Sequence, residues 1–291
     1  MALDAGVGVA LAFGALFFWG AGDFLIQKTT RHIGDWETLF LISLFGTAML
    51  APLAYNSLFA YLSISTNLIV FITVSIIAFV SGIINFEALK MGKITVVEPV
   101  ISLEVPVVAV LAFLILHEAI TPIEMTILAA LVVGLGLVSL KSYHFSRKLW
   151  VESGVVLAAI TAVLLGAYSF LVGFGSRLSN PLVVFWFISF MLMFYTLAYL
   201  VAKGKLRKLM HDASKIKSLV ISTCMLDNSA WICYAVATVL IPVTIAVGIS
   251  ESFIAFSALL GLVVSRERLL AHQKVGLVVS LASAIALAFL V

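Results

Sequence analysis

The sequence predicts an all-α integral membrane protein with ten transmembrane helices, built from two inverted five-helix repeats. Composition, apolar run length and similarity between the two halves support this prediction. Of the 291 residues, 63% are hydrophobic and only 11% are charged, and the mean hydropathy is +1.23. Soluble domains carry about 25% charged residues. The composition therefore excludes one or two soluble domains.

Ten apolar runs are long enough to cross a bilayer, which takes about 20 helical residues at 1.5 Å per residue. The predicted spans are 6–27, 36–54, 67–89, 94–116, 123–140, 153–173, 182–202, 218–239, 243–264 and 274–290. Three starts carry local signals. Thr121-Pro122-Ile123-Glu124 predicts a capping box with proline at the first helical position, and prolines 181 and 242 mark the starts of spans seven and nine.

Basic residues alternate sharply between the two sets of loops. The loops after odd-numbered spans hold sixteen lysines and arginines, whereas the opposite side holds only Arg177. Because short cytoplasmic loops are enriched in Lys and Arg, the basic loops are predicted to be cytoplasmic and both termini external, in the cell membrane. The basic run 203–217 is interpreted as a topology determinant.

The two halves are similar to each other along their length. Residues 16–25 align with residues 162–171 at an offset of 146, and Thr95 and Glu118 align with Thr244 and Glu267 at an offset of 149. The chain therefore divides into units 1–145 and 146–291. Because five is odd, the two units should insert with opposite orientation.

Several short motifs resemble the EamA-type members of the drug/metabolite transporter (DMT) superfamily. They are residues 87–92 (EALKMG), 97–99 (VEP), Pro106 and 116–118 (LHE) before a fifth helix with two glycines, and more weakly residues 235–237, Pro242 and 266–267 in the second unit. The resemblance implies a secondary carrier. Its central cavity would be lined mainly by helices 1, 3, 4, 6, 8 and 9, with helices 5 and 10 more peripheral.

Carboxylates occur near the middle of three predicted spans. Glu104 lies in span four, Asp227 in span eight and Glu251 in span nine, whereas Glu98 lies closer to the basic end. An ionisable side chain at that depth is costly and should face another polar group, or water, inside the bundle. We therefore expect an acidic centre inside the bundle. Glu104 and Glu251 lie at similar depths in their spans, although they do not align with each other in the two units.

Polar and aromatic side chains share helix faces with these acids. Asp227, Trp231 and Tyr234 follow helical spacing, and so do Trp19, Asp23 and Gln27. The predicted substrate-binding residues are Trp19, Asn85, Ser102, Glu104, Asp227, Asn228, Trp231, Tyr234 and Glu251. Such a cavity suits a small amphipathic solute with a cationic group. The alternative for Asp23, Glu87 and Glu98 is a structural ion pair, and for Trp19 it is packing.

The expected function is transport of a small polar or amphipathic metabolite, with an amino acid or related amine favoured. Glu104, Asp227 and Glu251 are the proton-coupling candidates, because none of the five histidines lies in a predicted span. Sugar or nucleotide-sugar exchange is the alternative, and an intramembrane enzyme or scaffold is a distant one.

No enzyme activity, cofactor, metal or nucleic-acid partner is expected. Residues 92–95 lack the spacing of a phosphate-binding loop, and His117-Glu118 does not continue into a zinc-binding motif. The expected partners are the solute, the lipid bilayer and protons as a coupling ion. A monomer and a homodimer both stay open.

Overall fold

The computed structural model describes residues 2–91, 97, 100–140, 153–263 and 269–291. Glu98 and Glu267 lie outside this part of the chain. The described residues form twelve helices: α1 Ala2–Ile33, α2 Asp35–Leu62, α3 Ser65–Met91, α4 Glu104–Leu116, α5 Pro122–Ser139, α6 Ser153–Leu178, α7 Pro181–Ala202, α8 Leu206–Lys215, α9 Lys217–Leu240, α10 Val243–Glu251, α11 Phe253–Val263 and α12 Ala271–Ala288. The predicted all-α class is confirmed.

Nine stretches of the described chain are long and apolar enough to cross a membrane, and the consecutive helices α10 and α11 together form one of them. The remaining predicted span contributes the shorter apolar helix α4, and the described residues 97, 100 and 101 before it are also helical. The protein is therefore a multi-pass membrane protein.

The predicted helix starts are confirmed in atomic detail. The backbone N–H of Thr121 donates to Glu124 Oε2 at 2.6 Å, and the N–H of Glu124 donates to Thr121 Oγ1 at 3.3 Å. A hydrogen bond equivalent to the one between Thr121 and the Glu124 side chain occurs 149 residues later, where the backbone N–H of Leu270 donates to Gln273 Oε1 at 3.0 Å. Helices α5 and α12 both run for 18 residues from these caps.

Two of the predicted spans are not single continuous helices, because a turn interrupts each of them. A short turn at residues 102–103 precedes α4, and a turn at Ser252 separates α10 from α11. In the first, Pro106 has no N–H to give to the carbonyl of Ser102, which instead accepts from Val105 at 3.4 Å. In the second, the Ser252 hydroxyl donates back to the Gly248 carbonyl at 3.0 Å, a bond that bends helices.

The helices pack in pairs that join the predicted units. The most extensive pairs are α1 with α9, α3 with α6, α5 with α12 and α2 with α7. If the two predicted units are exchanged, α1 takes the place of α6 and α9 takes the place of α3, so the first pair becomes the second. The pairs of α5 with α12 and of α2 with α7 are each exchanged into themselves. This is the pattern expected of two equivalent units, and it does not distinguish a parallel from an inverted repeat. The duplication and its inverted orientation stay predictions.

Helix α8 was not predicted, because its sequence is polar and was interpreted only as a basic loop. It holds Leu209 against the buried side chains of Phe40 and Leu200. Just before it, Lys205 Nζ lies 3.2 Å from Glu37 Oε1 at the start of α2. The basic run is thus folded against the ends of α2 and α7.

Candidate functional site

A cavity of about 710 Å³ lies between the predicted units, toward the end of the molecule that carries the basic loops. Helices α1, α3, α4, α6, α9, α10 and α11 supply most of its wall. The described lining residues are Trp19, Asp23, Ile26, Gln27, Asn85, Ile101, Ser102, Glu104, Val138, Ser139, Leu165, Tyr168, Ser169, Asp227, Trp231, Glu251, Phe253, Ile254, Ser257, Ala258, Leu269 and Gln273.

Most of the residues predicted to bind substrate come together at this cavity. Seven of the nine line it, namely Trp19, Asn85, Ser102, Glu104, Asp227, Trp231 and Glu251. Asp23 and Gln27, which share the face of Trp19, line it as well. Their roles in binding stay predictions. Val138, Ser139 and Gln273 also reach the cavity, so α5 and α12 contribute although the resemblance implied a more peripheral place for them.

Tyr234 lies behind the wall and is absent from the lining. Its side chain is fully buried, and its hydroxyl donates to the Ser169 carbonyl at 3.0 Å. Its ring centroid lies 5.8 Å from that of Trp19 and 5.9 Å from that of Trp231. Tyr234 therefore supports the two tryptophans and links α9 to α6.

Asn228 is turned away from the cavity. It is completely buried, and its Nδ2 donates to the carbonyls of Ile42 at 3.1 Å and Cys224 at 2.8 Å. The helical spacing explains this placement, because Asn228 is one residue from Asp227 and lies about 100° around the helix. Asn228 therefore fastens α9 to α2, and it is not among the residues that line the cavity.

Two carboxyl groups meet where the interrupted helices cross the cavity. Glu104 is the first residue of α4 and Glu251 is the last residue of α10, so each lies directly beside a turn. Both side chains line the cavity, both residues are buried, and they lie close enough together to interact electrostatically. Two ionised carboxylates in such a place repel each other, so a proton shared between them would stabilise the pair.

An aromatic wall, formed by Trp19, Tyr168, Trp231 and Phe253, lies beside these acids. The ring centroids of Trp19 and Trp231 are 4.9 Å apart at an interplanar angle of 81°, and those of Tyr168 and Trp231 are 4.8 Å apart. Phe253 lies 5.8 Å from Trp19. These contacts hold the rings in place, so the faces that border the cavity are fixed in direction.

Tyr168 lines the cavity but was not predicted from the sequence, although its position on α6 carries a weak signal. Leu165, Tyr168 and Ser169 all line the cavity and stand at i, i+3 and i+4 on α6, which defines one face. Because α6 is apolar around most of its circumference, this face does not stand out by hydropathy. The tyrosine hydroxyl was the only distinguishing feature.

The charged side chains of the described lining are all acidic. Four of the lining residues are acids: Asp23, Glu104, Asp227 and Glu251. Asn85 adds a buried Oδ1 with no hydrogen-bond partner among the described residues. No lysine, arginine or histidine occurs among the described residues of the lining. The cavity is therefore suited to a group that donates hydrogen bonds and carries positive charge.

A polar clamp, which we define as Glu118 and Arg177, lies at the opposite end of the bundle. Arg177 Nη1 lies 2.8 Å from Glu118 Oε1, and Arg177 also donates to the carbonyls of Thr238 at 2.7 Å and Ile241 at 2.9 Å. Glu118 accepts from the backbone N–H groups of Val243 at 3.0 Å and Thr244 at 3.3 Å. Glu118 therefore caps the start of α10.

Comparison with known proteins agrees with the predicted resemblance. Residues 6–140 match the model of the EamA-like transporter family, a family of the DMT superfamily. A solved crystal structure is 14% identical and aligns over 97% of this chain and 96% of its own, with a TM-score of 0.76. At that identity the likeness concerns the fold. No curated protein matches the sequence.

Proposed function

We propose that this multi-pass membrane protein, whose residues 6–140 are those of an EamA-like transporter, is a secondary transporter of a small metabolite bearing an amine. The observation that carries the proposal is the cavity of about 710 Å³ inside the bundle, which is lined by four acids from different helices and by an aromatic wall. Its volume lies in the range of small-molecule sites.

Alternating access is the proposed mechanism. The cavity lies toward the end with the basic loops, and the clamp of Glu118 and Arg177 lies at the other end. The helix pairs join one predicted unit to the other, so rocking of the units would open one end while closing the other. Both ends would then reach the same acids in turn.

Proton coupling is proposed for the pair of Glu104 and Glu251. A proton shared by the pair would relieve the repulsion between two buried carboxylates that lie so close together. A cation that enters between them favours two ionised carboxylates, so it would release that proton. Substrate and proton would thus exclude each other at one site, which is the condition for exchange. Asp227 stays a further candidate.

The alternative of sugar or nucleotide-sugar exchange has less support. A phosphate group is normally held by arginine, lysine or a helix N-terminus. The described lining offers neither arginine nor lysine and instead offers carboxylates, one of them at the N-terminus of α4.

The test is a binding and transport screen with purified, reconstituted protein. Amines, amino acids, sugars and nucleotide sugars are compared by thermal shift, and compounds that stabilise the protein are then followed by flux into proteoliposomes. Asp227→Asn should abolish the shift and the flux. Asp212→Asn on the short polar helix α8, away from the cavity, is the matched control and should behave as wild type. An Asp227→Asn variant with wild-type flux would contradict the proposal.

A further inference from the structure

We infer that the substrate is an organic cation without a carboxylate, an amine and not the parent amino acid. This inference rests on the proposed function and narrows its substrate class. It is carried by the charges of the cavity and by the aromatic wall. The two observations concern different groups and lead to the same chemical class.

The first step concerns charge. Asp23, Glu104, Asp227 and Glu251 all border the cavity, and the described lining has no lysine, arginine or histidine to receive an anionic group. The carboxylate of an amino acid would enter a space already lined by like charge, within a low-dielectric protein, where such repulsion is strong. An amine that lacks the carboxylate avoids this repulsion.

The second step concerns hydrogen bonding. An ammonium group has donors and no acceptor. Asn85 Oδ1, which has no partner among the described residues, can accept one of these hydrogen bonds, and the carboxylates can accept the others. A substrate carboxylate would instead require donors, and the described lining supplies only uncharged ones, on indole, amide and hydroxyl groups. The Gln273 amide is already used, since its Nε2 donates to the Val138 carbonyl at 3.0 Å.

The third step concerns the aromatic wall. Trp19 and Trp231 pack edge to face at 4.9 Å, which leaves no room for an ion between them. A cation must therefore lie over a ring face that borders the cavity, where indole attracts positive charge. The same faces accept apolar surface. The substrate class is thus an amine with an apolar body, which uses the acids and the wall together.

Three matched ligands test the charge requirement: phenethylamine, phenylalanine and phenylalanine methyl ester. They share the aromatic body, and only phenylalanine carries a free carboxylate. We expect the amine and the ester to stabilise the protein and to bind on the order of tenfold or more tightly than phenylalanine, a difference of about 1.4 kcal/mol. Binding is measured by thermal shift and by calorimetry on the full protein in nanodiscs.

Each outcome of this test decides a separate point. Equal or tighter binding of phenylalanine would overturn the inference and leave the proposed transporter standing. Binding of sugars alone would overturn both the inference and the proposed amine substrate. A Trp231→Phe variant, which keeps a ring, should bind the amine more tightly than Trp231→Leu. Equal amine affinities in two folded variants would contradict a contact with the wall.

A different region carries a second inference independently. We propose that the clamp of Glu118 and Arg177 is the gate that closes the cavity at the end opposite the basic loops. Glu118 follows α4 and Arg177 is near the end of α6, while their bonded partners belong to α9, α10 and the connection between them. Four elements from both predicted units are therefore tied at one point.

The clamp has the composition expected of a contact that must both form and break. Its side chains are partly exposed, at 27% for Arg177 and 12% for Glu118, so water can replace the lost bonds when the elements separate. Close packing lies directly beneath it, since an added Cβ on Gly173 would come within 3.1 Å of Val243. Opening therefore requires α6 to move away from the start of α10.

Thiol accessibility tests the gate. A cysteine replaces Ser169, which lines the cavity, in a background with Cys224 and Cys233 changed to alanine. A membrane-impermeant reagent is applied to intact cells and to inverted vesicles. Without the clamp variants, labelling should be strong from one face only. Glu118→Gln and Arg177→Gln should each raise labelling from the other face, and Arg177→Lys should restore part of the barrier.

Lys215→Gln breaks an exposed ion pair of α8 and serves as control, with no change expected from either face. Folded clamp variants whose labelling stays one-sided would overturn the gate and leave the substrate inference untouched. Strong labelling of the protein from both faces with an intact clamp would overturn it as well.

Discussion

The two interrupted helices reach similar backbones by different chemistry. The turn before α4 depends on Pro106, whereas the turn between α10 and α11 accompanies serine hydroxyls bonded to the carbonyls of the preceding turn. Leu103 and Ser252 are 149 residues apart, the offset at which the second parts of the two predicted units align. The positions of the turns are thus better preserved than the residues that cause them.

The acids at these turns do not follow the same correspondence. Glu104 begins the helix after its turn, and Glu251 ends the helix before its turn. The two side chains nevertheless lie close together in the lining of one cavity. An asymmetric pair of acids therefore lies beside two turns that occupy corresponding positions in the two predicted units.

The largest effect is expected from the acids themselves. Glu104→Gln and Glu251→Gln should each lower amine flux at least about tenfold, and the double variant should be little worse than either single, because residues in direct contact are not additive. Flux into proteoliposomes gives the three values. Independent, additive losses, or a harmless change at one position, would show that the two acids do not act as a pair.

The contact between α5 and α12 should give the next largest effect. An added Cβ on Gly276 would come within 2.6 Å of the Gly134 carbonyl oxygen, so Gly276→Ala should lower the free energy of unfolding by about 1–3 kcal/mol. Gly136 has open space around its Cβ position, and Gly136→Ala should change stability by less than about 0.5 kcal/mol. Denaturant unfolding in detergent compares them. Equal effects would contradict close packing at Gly276.

The turns themselves should differ in sensitivity. Pro106→Ala restores an N–H that can bond to the Ser102 carbonyl, so we expect α4 to straighten and flux to fall several-fold. Ser252→Ala removes only one hydroxyl bond, and flux should change less than about twofold. A larger loss in the serine variant would reverse this account of the two turns.

The smallest effect is expected at the helix caps. Glu124→Gln keeps an amide oxygen that can accept from the Thr121 N–H, so the free energy of unfolding should fall by only about 0.5 kcal/mol. Such a variant resembles the natural cap of α12, where Gln273 accepts from Leu270. A loss well above 1 kcal/mol would show that the two caps are not equivalent.

Much of the fold could be predicted from apolar run length and capping signals. The predicted span 182–202 is Pro181–Ala202, and the predicted span 218–239 is Lys217–Leu240. By contrast α1, predicted as 6–27, runs from Ala2 to Ile33, because hydropathy marks the hydrocarbon thickness and a helix continues into polar surroundings. The turns beside Glu104 and Glu251 leave no trace in hydropathy, since the runs stay apolar on both sides.

The site could be predicted in part for a similar reason. Acids in an apolar span are conspicuous, so Glu104, Asp227 and Glu251 were found by depth alone. The direction of a side chain is harder, as Asn228 shows, because one residue of helical rotation separates a cavity face from a packing face. The bond between Arg177 and Glu118 joins residues far apart in the chain, and no local pattern indicates it.

Flux of a panel of small amines into proteoliposomes tests most directly whether the cavity between the interrupted helices is the transport route. The protein should show saturable uptake of at least one amine. Uptake by the double variant Glu104→Gln, Glu251→Gln should be lower by at least about tenfold, and Asp212→Asn should show wild-type uptake. Uptake by the double variant at the wild-type rate, or no uptake of any amine by the wild-type protein, would contradict the account.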